Sequence, residues 1–113
     1  MKVDTWDHVT RLRKWLDADA APTSVQDARL LRVLKISEEL GEVAEAPSRG
    51  ARRQPAQGCV PRLGDVAKEL ADVIVTAMVA LDTVSGDGAT VVEPQLQGRV
   101  EEEITAAGDT RFL

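Results

Sequence analysis

From Leu70 to Leu81 the chain runs through twelve residues of which only Asp72 and Thr76 are polar. A helix over this stretch is apolar almost all round, so it is expected to be the central element on which the rest of the chain packs. Its longest apolar run, Val73 to Leu81, is interrupted by Thr76 and too short to span a bilayer. Asp72 is the difficulty in that reading. An uncompensated carboxylate inside so apolar a helix is costly to ionise. No basic residue lies between Glu69 and Leu81, and the other conspicuous stretch, Glu38-Glu39-Leu40-Gly41-Glu42, carries charge of the same sign. A bound divalent cation would compensate both stretches at once.

Around this segment the pattern is helical throughout. Trp6, Val9, Leu12, Arg13 and Leu16 recur at helical spacing, starting near Thr5 with Asp4 or Thr5 as cap and ending before Ala21-Pro22. Thr23 or Ser24 then caps a second helix, which is expected to run to about Glu45 and stop at Pro47. Residues 47–62 hold three of the five prolines, Gly50, Gly58 and four arginines, and read as a long loop. A third helix is expected over Leu63 to Val84, broken by Ser85-Gly86-Asp87-Gly88. Val91-Val92 reads as a brief extended stretch, Gln95 to Ala107 as a fourth helix, and 108–113 as a loose tail. The expected fold is therefore all-α: a single domain over 1–113, a bundle of four main helices. At 113 residues its core is modest, so completion of the bundle by oligomerisation is a natural expectation.

Composition excludes several function classes. The net charge of −5 argues against binding a nucleic-acid polymer, whose partners carry clustered basic residues. One cysteine (Cys59) and one histidine (His8) form neither a disulfide framework nor a zinc pattern. The N-terminus lacks a signal-peptide apolar run, and no basic amphipathic helix points to a membrane. A cytoplasmic location is the default expectation.

Residues three or four apart share a helical face. Glu39 and Glu42 form one such pair, Glu69 and Asp72 another. Two antiparallel helices presenting these pairs to each other make a cage of four carboxylates, hard ligands suited to Mg²⁺ or Mn²⁺. Mg²⁺ sites commonly add substrate phosphates to a few carboxylates. Lys35, one turn before the cluster, and Arg52 and Arg53 in the loop are the phosphate-binding candidates. Glu38 or Glu42 is placed to take a proton from an attacking water. The parts suit metal-assisted hydrolysis of a phosphoanhydride. Gly41, inside the second helix at a cost of about 1 kcal/mol, predicts a close neighbour such as another helix.

Lys35-Ile36-Ser37-Glu38-Glu39-Leu40-Gly41-Glu42-Val43-Ala44-Glu45 followed by Glu69-Leu70-Ala71-Asp72-Val73-Ile74 resembles the MazG-like all-α nucleoside triphosphate pyrophosphohydrolases, whose pattern is EExxE, a spacer, then ExxD. The resemblance covers about Leu30 to Leu81. It implies Mg²⁺ held by Glu39, Glu42, Glu69 and Asp72, with Glu38 holding a second metal or orienting a water. It implies cleavage between the α and β phosphates of a nucleoside triphosphate, giving a monophosphate and pyrophosphate, and assembly as a homodimer or homotetramer. The chain departs from the family pattern at Lys68, where many relatives have an acid, and at Thr76, where some pyrimidine-selective relatives have tyrosine. Lys68 is placed to pair with Asp65 or Asp72 or to reach a phosphate. The alternative reading is a non-catalytic helical dimer of the same fold that binds nucleotide or metal, or serves as a scaffold.

The remaining polar features have plainer readings. Glu45 and the run Glu101-Glu102-Glu103 read as solvated surface, Asp65 as a helix-start cap or a support for the metal site, and His8 as structural or exposed. Trp6 and Trp15 read as core or interface anchors rather than base-stacking platforms.

Overall fold

The computed structural model describes residues 3–19, 24–53, 63–109 and 111, with side chains described over 5–19, 24–45 and from 63 onward within these ranges. It is all-helical, with no strand among the described residues: α1 (Val3–Asp19), α2 (Val25–Arg53), α3 (Leu63–Ser85) and α4 (Gly88–Ala107). None of these helices is long and apolar enough to cross a membrane.

Helix α2 starts where its cap residue predicts. The Ser24 hydroxyl accepts a hydrogen bond from the Asp27 N–H at 3.1 Å, and the Ala28 N–H donates to the Ser24 carbonyl at 3.0 Å. Two expectations need correction. Pro47 does not end α2, which continues to Arg53, so the expected loop loses its first seven positions and its remainder, 54–62, lies outside the described residues. Proline already has a helical φ and forfeits one backbone bond, while Ala46, Arg49, Ala51, Arg52 and Arg53 are good helix formers. Nor are Val91 and Val92 extended: α4 begins at Gly88 and carries Pro94 inside it. That early start is fixed from outside, because the Gly88 N–H donates to Asp82 Oδ1 at 3.1 Å. Gly108 ends α4 in the left-handed conformation (φ 69°), with its N–H and that of Asp109 returned to the carbonyls of Thr105 and Ile104.

Helix α3 is central as expected: α1, α2 and α4 all pack on it. Glu39 beside Asp72, and Arg32 beside Thr83, show α2 and α3 to be antiparallel. The apolar core sits where α1 crosses the C-terminal half of α3. Val9, Met78 and Val79 are buried there, with Trp6 and Leu16 packed against them. Trp6 also closes over Gly88, where an added Cβ would lie 2.5 Å from the indole ring.

One buried charge ties three helices together. Asp82, only 2 % exposed, accepts from Arg13 Nε at 2.6 Å and Thr10 Oγ1 at 3.2 Å on α1, as well as from the Gly88 N–H. Burial pushes its carboxyl up, but the hydrogen bonds from Arg13, Gly88 and Thr10, with the Arg13 charge, outweigh this and hold it below the ordinary carboxylate value. Its bond to Asp82, opposed by partial burial, raises Arg13 in turn.

A large apolar surface stays open. On α3, Leu63, Ala67, Leu70, Ile74, Ala77, Leu81 and Val84 alternate at spacings of four and three, the pattern of a helix-packing seam. Leu63, Leu70, Ile74 and Val84 in that seam are exposed, Ile74 by 56 %. On α2, Leu30, Val33, Leu34 and Leu40 are exposed too. Gly41 lies on this surface and nothing comes within 4 Å of the position its Cβ would take, so the close neighbour expected there is not supplied by the described residues of the chain.

Candidate metal centre

Helices α2 and α3 bring the two acidic stretches face to face. Glu39, Glu69 and Asp72 each offer a carboxylate oxygen, and these lie within 4.8 Å of one another. The helical repeat explains the grouping. Glu69 and Asp72 are three apart on α3, and Glu39 meets them from the antiparallel α2. Glu39 and Glu69 are half-buried and Asp72 is partly exposed. One oxygen of Glu69, Oε2, is buried.

Glu42 adjoins this triad. The charge of Glu39, partial desolvation and the charge of Glu69 push its carboxyl above the ordinary value, and hydrogen bonds with Glu69 and Glu39 add to the shift. This is how a carboxylate behaves when like charges crowd it with no cation between them. Glu38 points elsewhere. It is exposed and accepts from Lys35 Nζ at 3.1 Å, while Lys35 reaches Glu39 Oε1 at 3.7 Å. The hydrogen bond to Glu38 and the Glu38 charge are the main reasons Lys35 is raised. Lys35 therefore links the triad to Glu38 along one side of α2.

Of the other expected site residues, Lys68, Arg52 and Arg53, only Lys68 has a described side chain. Lys68 is exposed on α3 and makes no ion pair with a described residue, neither with Asp65 nor with Asp72. Asp65 sits in the first turn of α3, where a carboxylate favours the helix dipole. Arg52 and Arg53 form the end of α2, and their side chains lie outside the described residues, as does Cys59. Trp6 serves the core, whereas Trp15 is 60 % exposed, and His8 is exposed. Glu101 and Glu103 are exposed and bonded along α4 to Gln97 and Arg99.

The donor set fits a hard divalent ion. Mg²⁺–oxygen bonds of about 2.1 Å put neighbouring ligand oxygens about 3 Å apart and opposed ones about 4 Å apart. Small side-chain adjustments bring oxygens within 4.8 Å of one another into that range. Three oxygen donors, with Glu42 beside them and neither His nor Cys among them, are hard ligands of a kind that could hold a divalent ion.

Beside the cluster a cavity of about 340 Å³ opens between α1, α2 and α3. Leucine and valine make most of its wall, and Arg32, Lys35 and Thr76 are its polar lining. Lys35 lies one turn from Glu39, and Thr76 one turn from Asp72, so the cavity begins about 6 Å along the helices from the carboxylates. Sequence reasoning reached Lys35 and Thr76 but passed over Arg32 and Asp82. The partners of those two, Asp17 and Arg13, are far away in the chain and carry no local pattern. Neither a protein-family model, nor a curated protein, nor a solved structure matches this chain.

Proposed function

We propose that the protein is a Mg²⁺-dependent nucleotide pyrophosphohydrolase that cleaves the α–β phosphoanhydride of nucleoside triphosphates to a monophosphate and pyrophosphate. The observation that carries this reading is the convergence of Glu39, Glu69 and Asp72 from two antiparallel helices, with Glu42 adjoining. Glu39, Glu69 and Asp72, joined by Glu42 once deprotonated, would hold Mg²⁺ or Mn²⁺. The bound ion would offset the charge that grows on the leaving pyrophosphate.

The chain's own residues divide the remaining work. Lys35, exposed beside the triad, supplies positive charge for phosphate oxygens. Glu42 and Glu38 are the candidate bases for the attacking water. Arg52, Arg53 and Lys68 complete the proposed phosphate contacts. The apolar cavity one turn away leaves room for the nucleoside. A second copy of the chain is proposed to cover the exposed seam of α3 and the surface around Gly41, giving the homodimer or homotetramer that completes the bundle. A cytoplasmic location accords with this reading.

The test is pyrophosphate release from a panel of ribo- and deoxyribonucleoside triphosphates. Release should require Mg²⁺ or Mn²⁺ and should disappear in Glu69→Gln and Asp72→Asn variants that keep wild-type helicity. If no triphosphate yields pyrophosphate with either metal, the hydrolase reading fails and the non-catalytic helical assembly takes its place.

A further inference from the structure

The cavity beside the carboxylates carries more information than its size. Its polar lining is cationic or hydroxylic: Arg32 and Lys35 only donate hydrogen bonds, and Thr76 can do either. Arg32 is the most constrained of the three. Its Nη1 pairs with Asp17 Oδ1 at 2.6 Å and donates to Thr83 Oγ1 at 2.9 Å, whose own hydroxyl donates to the Val79 carbonyl at 2.8 Å. Asp17 is held from its other oxygen by Arg13 Nη1 at 2.9 Å. The guanidinium is therefore fixed before any ligand arrives, with 14 % of its side chain accessible. Its Nη2 and Nε have no hydrogen-bond partner among the described residues.

We propose that Arg32 makes the cavity selective for nucleobases with a carbonyl, rather than an amino group, at the pyrimidine 4- or purine 6-position. A keto oxygen accepts from a preplaced guanidinium, as it does where arginine reads guanine. An amino group at the same position turns N–H against N–H beside the apolar wall of this open cavity, so the two donors do not pair with each other. Thymine, uracil, guanine and hypoxanthine belong to the favoured class, cytosine and adenine to the disfavoured one. The inference rests on the nucleotide reading above and names the substrate class of that same site.

Two pairs of ligands differ in this group and in the hydrogen on the adjacent ring nitrogen: dUMP against dCMP, and IMP against AMP. Dissociation constants of all four with the full chain, without metal, decide the matter. The keto member should bind at least about tenfold more tightly in both pairs. Arg32→Met should bring each pair to near parity, and Arg32→Lys, which keeps a donor but loses the fork, should retain part of the preference. Equal binding within each pair by the wild-type protein, an amino preference, or no binding of any of the four overturns the proposal, and these wild-type results stand even if Arg32→Met does not fold. A keto preference that survives in folded Arg32→Met also overturns the role given to Arg32. Pyrophosphate release is scored separately from dUTP, dCTP, ITP and ATP with Mg²⁺. Keto-selective binding without turnover sinks only the hydrolase reading, and turnover with unselective binding sinks only this inference.

Discussion

Replacing Arg13 with methionine removes the one cation among the described residues that pairs with Asp82 and leaves the aliphatic packing of the side chain largely in place. The carboxylate is 2 % exposed and keeps only Thr10 and the Gly88 N–H as donors. Breaking a buried pair by deleting one partner typically costs about 3–5 kcal/mol, because the remaining charge stays buried. That is a large part of the about 5–15 kcal/mol that holds a domain folded. Losing the exposed Arg13–Asp17 contact adds little. The pH dependence is diagnostic. In the wild type the folded pKa of Asp82 lies below the unfolded value of about 3.9. Its stabilising contribution is therefore full above about pH 4 and disappears as pH falls through the folded pKa. In Arg13→Met burial dominates and the folded pKa rises above the unfolded one, so the sign reverses. The variant's deficit should be greatest at neutral pH and should shrink on acidification toward pH 4. Urea unfolding at one fixed protein concentration, followed by far-UV circular dichroism at pH 7 and pH 4.5, measures both quantities. A deficit below about 1 kcal/mol at pH 7, or one that does not change with pH, would refute the assignment of Asp82 as a charge held ionised by Arg13.

Glu39→Gln should bring the Glu42 carboxyl back toward its ordinary value, since the Glu39 charge is the largest cause of its rise, and a carbon-13 titration of the side-chain carboxyl reads this directly. By the same linkage, Mg²⁺ affinity of the wild type should fall as pH drops through the raised Glu42 pKa, which isothermal titration at two pH values would show. Gly88→Ala drives a methyl into the Trp6 ring and should cost about 1–3 kcal/mol in urea unfolding, although its φ needs no glycine. If a second copy covers the open α3 seam as proposed, Ile74→Glu, which places a charge in the middle of it, should give a smaller species than the wild type in light scattering with helicity intact.

The parts of the fold legible in sequence were those set by local chemistry. Ser24 announced the start of α2, Gly108 the end of α4, and the apolar run from Leu70 the central role of α3. Of the four carboxylates expected to share a site from their spacings of three and four, Glu39, Glu69 and Asp72 lie together with Glu42 adjoining, while Glu38, one position before Glu39, is turned by about 100° and meets Lys35. Pro47 misled because a helix of good formers absorbs one missing hydrogen bond, and Val91-Val92 because β-branched residues yield to a helix start pinned by Asp82. Asp82 itself gave no warning. It stands at the end of the apolar run, and the arginine that makes its burial tolerable is 69 positions away. Gly41 was read as a contact point, and the described residues leave open space beside it.

Helix α3 turns Glu69, Asp72 and Thr76 toward α2 and the cavity, and Leu70, Ile74 and Ala77 along the open seam. The two sets interleave along a single rod, and this restricts how the gene can vary. One codon gained or lost between Glu69 and Ala77 would swing everything downstream by about 100° and spoil ligand set and seam together. Relatives of this chain should therefore keep one fixed frame from Glu69 to Ala77, with no insertion or deletion inside it.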